Sequence, residues 1–258
     1  MRRIEGPWLA TETLTYASLD EFFRIADESE DGWEHTVAWV DCMSGGQVRG
    51  IFQRANPCEV NDMAVPLRNE RSMPFVPPVS LVNGLTLKPF NAAYYHWLKR
   101  KPSPLLQHYE TFFYPLDGLQ QWTRMYGPAG FYQYQCVVPA ENRQPAMQAM
   151  LDEIARSGMG SCLSVLKTFG AEKPRGMLSF PMHGASLALD FPNRGERTLR
   201  LFFKLDAIVR EAGGRIYAAK DGRMPRDLFE AGNPRLNEFL PYRDPGISSA
   251  LSRRLMGT

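Results

Sequence analysis

The 258-residue chain is predicted to be an α+β protein, with one antiparallel sheet made of two β-α-β-β-like halves, helices packed on one face, and a short helical tail. Three observations carry this prediction. Runs with period-two alternation occur in both halves. Each half has an amphipathic helix with legible ends. Strand candidates separated by short turns follow each helix, which suits antiparallel pairing. Apolar residues make up 44% and charged residues 22% of the chain, enough for a buried core and too apolar for a disordered tail or a fibre.

Taken in order, Leu9 to Tyr16 alternates as a half-buried strand, with Leu14 and Tyr16 on one face. Ser18-Leu19-Asp20-Glu21 is a capping box that opens a helix through about Ser29. His35 to Asp41 and Val48 to Arg54 are β-rich and flank the Ser44-Gly45-Gly46 turn. Residues 56 to 90 carry six prolines (Pro57, Pro66, Pro74, Pro77, Pro78 and Pro89) and predict a long ordered excursion without helix, closed by a short helix from Ala92 to Lys101. The second half begins with short strand Phe112 to Leu116 and clear strand Phe131 to Val138. Glu141 to Ser157 is the best helix, with Met147, Met150, Leu151 and Ile154 on one stripe and Gly158 just past its end. Ser164 to Phe169 and Ser186 to Phe191 pair, Arg197 to Ala212 is helical, Arg215 to Ala219 is the last strand, and the tail from Pro225 is made of short helices.

Composition excludes several classes. The net charge of +2 is too small for a nucleic-acid grip, so no nucleic-acid partner is expected. Four cysteines without a C-x-x-C pair and four histidines without an H-E-x-x-H argue against a metal site or a thiol redox pair. No phosphate-cradling glycine loop and no G-x-S-x-G elbow is present. Neither a signal-peptide core nor a bilayer-spanning apolar run is found, so a soluble, cytoplasmic protein is expected. The aromatic–basic stretch Tyr94 to Lys101 offers a peripheral membrane contact, although a packed helix with a solvated basic end is the commoner outcome.

A few polar residues stand out. Gln133 and Gln135 share one strand face and suit either a solvated sheet side or two amides facing sugar hydroxyls. Lys167, on a strand, reads first as a solvated lysine. Lys220 reads either as a strand-end lysine paired with Asp221 or as a cation aimed at an anionic ligand or cofactor.

The stretches FFYPLDGLQQWTRMYGPAGFYQYQCVVP, SVLKTFG, LSFPMHGASLALDFP and GGRIYAAKD, in that order, resemble the C-terminal half of FAD-linked oxidoreductases of the vanillyl-alcohol-oxidase type. The resemblance runs from the first strand to the final SRRL. It implies a substrate-binding cap domain over residues 1–219 and a C-terminal segment, 220–258, that returns to an FAD-binding domain outside this chain. It further implies FAD as cofactor, held mainly by that domain, and oxidation of a secondary alcohol on a sugar or polyprenyl-phosphate sugar by hydride transfer to flavin N5. A reductase acting on the keto product is an implied partner. By position, Lys220 matches the lysine beside flavin and substrate, and Tyr217 and Ala219 match flavin neighbours. Gln133, Gln135 and Lys167 match polar cleft residues, and Trp39, Leu116, Leu163 and Phe169 match apolar walls. Three positions depart from the pattern: Phe113 replaces a cleft tyrosine, Ala188 a cysteine and Ser186 an asparagine. No thiol is therefore available at residue 188 to a covalent inhibitor. The rival expectation is a non-enzymatic ferredoxin-like module that binds a sugar or lipid phosphate on the same face.

Overall fold

In a computed structural model, which describes residues 4, 6–60, 71–220 and 222–257, the first half opens with strand Trp8–Tyr16 (β1) and helix Leu19–Ser29 (α1). The capping box forms as its spacing predicts: the Ser18 hydroxyl accepts from Glu21 N–H, and Glu21 accepts from Ala17 N–H. Strands His35–Val40 (β2) and Gly50–Cys58 (β3) complete the half. There follow Arg71–Ser72 (β4), Gly84–Lys99 (α2), Leu105–His108 (β5), Tyr109–Phe113 (α3) and Leu119–Gln120 (β6). The second half consists of Phe131–Pro139 (β7), Arg143–Ser157 (α4), Ser164–Phe169 (β8), Gly184–Pro192 (β9), Glu196–Glu211 (α5) and Arg215–Ile216 (β10). The tail carries Arg226–Gly232 (α6), Leu236–Phe239 (α7) and Ala250–Met256 (α8).

The eight-stranded sheet has the order β10-β7-β9-β8-β2-β3-β1-β5, antiparallel throughout. In each half the third strand lies between the first two, so the halves are mirror orders that meet where β2 pairs with β8. That seam is short: Ala38 opposes Leu166 and Trp39 opposes Val165. On one side of the sheet α1, α4 and α5 bury a common core, in which Phe22, Phe52, Met147, Met150, Ile154, Leu166, Leu187 and Phe202 are almost wholly enclosed. At about 25 cal/mol per Å² of buried apolar surface, side chains such as these each contribute roughly 1.5–3 kcal/mol. α4 ends on Gly158, whose φ of 67° is the left-handed stop that glycine permits. Gly50 serves a different need. A Cβ there would collide with the Tyr16 hydroxyl and the Trp39 carbonyl, which are joined by a hydrogen bond of 3.0 Å.

Several expectations are corrected. The strand expected at Val48 to Arg54 runs from Gly50 to Cys58, because β1 pairs with it over all nine residues. The excursion is not free of helix. Asn83 caps α2 through Leu85 and Thr86 N–H, so the helix starts at Gly84 rather than Ala92. Pro89 is tolerated in it because the acceptor it strands is the carbonyl of Leu85, a residue 89% exposed that water can serve. Phe112 to Leu116 is not a strand: β5 already occupies the free edge of β1, leaving no ladder to join, and the chain coils into α3 instead. Arg215 to Ala219 pairs only over Arg215 and Ile216; Ala218–Lys220 then winds into a 3-10 turn. Finally, helices are not confined to one face. α2 packs Leu98, Tyr94 and Tyr95 on Trp39 and Ile51, and α3 packs Phe112 on Leu9 and Ala55, both on the side opposite α1.

In the tail, Met224, Leu228, Phe229, Leu236 and Leu255 join the main core. Pro66 of the excursion and the Asp221 partner suggested for Lys220 lie outside the described residues.

Candidate functional site

Alternation decides which residues of the second half reach the face opposite α1, α4 and α5. With Leu187 and Leu189 buried under the helices, Ser186, Ala188 and Asp190 of β9 point the other way. The same rule turns Gln133 and Gln135 of β7, and Val165, Lys167 and Phe169 of β8, to that side. The register aligns them. Gln135, Ala188, Val165 and Trp39 form one straight row across four strands. Gln133 stands opposite Asp190, and Lys167 opposite Ser186. Gln135 Nε2 reaches Ser186 Oγ at 3.5 Å, the long limit of a hydrogen bond, so this amide has capacity left for a ligand.

The row is closed at both ends by aromatic rings. Trp39 is fixed by its Nε1–H, which donates to the Cys162 carbonyl at 3.1 Å, and by Tyr94 standing edge-on at 5.1 Å. At the other end Tyr217 N–H donates to the Gln135 carbonyl at 2.8 Å, and its ring lies 4.5 Å from Phe180, itself 6.3 Å from Phe169. The 3-10 turn after Tyr217 carries Lys220, whose N–H bonds back to Tyr217 at 3.0 Å. Lys220 and Ala219 are exposed.

Charge is concentrated on this face. Burial pushes the Lys167 amine below its usual range, and the nearby Lys220 charge lowers it further. Burial pushes the Asp190 carboxyl up to about 6, against the Gln133 hydrogen bond and the Lys220 charge, which pull it down. Lys220 is thus within electrostatic reach of both.

The structure therefore brings together Gln133, Gln135, Lys167, Phe169, Ser186, Ala188, Trp39, Tyr217 and Lys220, with Ala219 beside the last. Leu163 is half-buried just before β8, its N–H donating to Ser161 Oγ. Phe113 is placed through His35, which its ring meets at 4.9 Å and which alternates with Trp39 along β2. Leu116 is half-buried in the turn before β6, and the structure ties it to none of this polar group. Two residues escaped sequence reasoning. Asp190 lies one more step of two beyond Ser186 and Ala188, so alternation was sufficient to find it. Phe180 lies outside any periodic element and gave no signal.

The polar residues of this face range from wholly buried Ser186 and Asp190, through half-buried Gln133, Gln135 and Lys167, to exposed Lys220 at the rim. A cavity of about 810 Å³ lined by Ser80, Asn83, Tyr126 and Arg197 shares none of these residues. Among the described residues no cluster of His, Cys, Asp and Glu is arranged to hold a metal ion, and no helix is long and apolar enough to cross a membrane.

No family model matches the chain. Over 92% of its length it is 34% identical to the decaprenylphosphoryl-beta-D-ribose oxidase of Mycolicibacterium smegmatis (strain ATCC 700084 / mc(2)155), the match taking in 55% of that protein. An uncharacterized protein in the mprA 5′ region of Streptomyces coelicolor is 34% identical over 49% of this chain and 35% of its own length. The chain thus spans about half or less of the curated relatives it matches. It is similar, along nearly all of its length, to the mycobacterial oxidase, in a way consistent with a C-terminal half of that protein.

Proposed function

We propose that this chain is the substrate-binding half of an FAD-dependent oxidoreductase that oxidises a secondary alcohol of a sugar or polyprenyl-phosphate sugar. The observation that carries the reading is the polar face itself: Gln133, Gln135 and Lys167 gather on one side of the sheet with Lys220 near them, in a chain 34% identical to a decaprenylphosphoryl-beta-D-ribose oxidase. Ala219 and Lys220 stand exposed at the rim of this face, where a second body can approach, which suits an FAD-binding domain as partner.

The residues present fit one edge of a flavin. Lys220 is an exposed cation on the rim, able to face a ring that gathers negative charge, with Tyr217 and Ala219 alongside it. When bound, the flavin supplies the hydride acceptor. This chain does the rest. Gln133 and Gln135 orient hydroxyls through amides that both donate and accept. Trp39, Val165 and Phe169 form an apolar floor that limits water. Lys220 sets a fixed positive charge where negative charge develops. The ketone so formed is the kind of product a partner reductase would consume. A cytoplasmic enzyme acting on a polyprenyl-phosphate sugar would work at the membrane surface.

Incubated with FAD and desalted, the chain alone should be colourless. Mixed with a flavin-loaded FAD-binding half, it should restore sugar-dependent bleaching of the flavin band, and Lys220→Ala should slow that bleaching by about 10²–10³-fold with unchanged circular dichroism. A chain that retains flavin by itself, or a mixture that never bleaches, overturns the reading. The rival module would bind sugar phosphate equally well with or without the flavin half.

A further inference from the structure

We infer that Asp190 is the acceptor for a substrate hydroxyl on this face, and so a specificity-determining residue of the site. The inference rests on the functional reading above and adds to it the group that distinguishes one sugar from another. Asp190 is 3% exposed, yet its Oδ2 is buried without any hydrogen-bond partner. A carboxylate has about four lone-pair sites. Here the Gln133 amide serves the carboxyl from the neighbouring strand, while the Asp190 N–H is spent on Ser161 Oγ at 3.3 Å. A buried polar atom left unmet is costly and rare, and one at a binding face calls for an occupant.

The surroundings select the occupant. The Lys220 charge makes the vicinity positive, which disfavours a cation. The carboxyl's own charge disfavours an anion at this spot, although a phosphate is welcome at the lysines. What remains is a neutral donor, and on a sugar that donor is a hydroxyl. Ala188, two residues before Asp190 on the same face, contributes only a methyl group beside it.

The test is a nuclear magnetic resonance titration of the full chain with methyl β-D-ribofuranoside and with its 2-, 3- and 5-deoxy counterparts. One deoxy sugar should bind the native chain about tenfold more weakly than the parent, the loss expected for a hydrogen bond to a charged group. Asp190→Ala should bind the parent and that deoxy sugar alike. Asp190→Asn, which keeps the shape without the charge, should retain only part of the difference. Equal binding of all four sugars by the native chain overturns the inference without recourse to any variant, and so does undiminished discrimination in Asp190→Ala. A native chain that binds none of the sugars overturns the functional reading together with this one, whereas binding without discrimination spares that reading.

Discussion

The two halves of the sheet share a skeleton and differ in what they put on it. Counted outward from the central pair Ala38 and Leu166, Phe52 and Leu187 occupy matching places under the helices. On the opposite face the neighbours of Trp39 and Lys167 are Ile51 and Ser186, and one further step outward gives Gln53 and Ala188. Ala55 and Asp190 then match, paired with Thr11 and Gln133. In the first half α2 and α3 roof part of this face with apolar contacts; in the second it carries Gln133, Gln135, Lys167, Ser186 and Asp190. A repeated fold thus supplies rigidity twice and chemistry once, and the difference rests on a few side chains at matching register.

That contrast can be broken by exchange. The largest effect is expected from Ala55→Asp, which sets at the roofed position the carboxylate the second half carries at Asp190. Ala55 is 0% exposed, and an unpaired buried charge should cost at least about 4 kcal/mol, seen as loss of the cooperative thermal transition. Next, Ile51→Ala should cost roughly 2–4 kcal/mol in urea unfolding, since Ile51 is 1% exposed against Trp39 and Leu98.

A pH series sharpens the comparison. The Asp190 carboxyl sits at about 6 in the fold, above the ordinary aspartate value of about 3.9. The folded state therefore binds the proton more tightly than the unfolded chain. The stability this gives is complete below pH 4 and is lost as pH rises to about 6. Asp190→Asn removes the loss, so it should be more stable than the native chain by roughly 2–3 kcal/mol at pH 7, with the gap closing near pH 4. The smallest effect belongs to Ser186→Ala, whose hydroxyl meets Gln135 only at 3.5 Å; a change of at most about 1 kcal/mol is expected, well below that at its counterpart Ile51.

Much of this architecture is legible in the sequence because it follows from local rules. The Ser18 capping box, the Met147–Ile154 stripe and the alternation at Gln133 and Gln135 each report their own environment. What was missed does not show in periodicity. α3 replaces a strand because β5, immediately before the aromatic run, takes the edge of β1 first. α2 begins early because Asn83 caps it, although the run of prolines before and within it suggests irregular chain. Lys220 falls in a turn because the ladder with β7 ends after Ile216. Within the site, the polar row was readable by alternation, while Phe180 was not, since nothing periodic places it between Phe169 and Tyr217.

The brevity of the β2–β8 seam has a mechanical consequence. Among the described residues two residue pairs stitch the halves through the sheet, helped by the Trp39 indole on the Cys162 carbonyl. Behind it, α1 and α4 are cross-braced by Arg143, which grips both carboxylate oxygens of Asp27 at 3.0 and 2.7 Å, and by Gln144 on Asp20 at 2.6 Å. A load that pulls the halves apart therefore meets side-chain bonds on the helical side as well as the short backbone ladder. The joint resembles a hinge plate with its pins on the helical side and the polar face opposite.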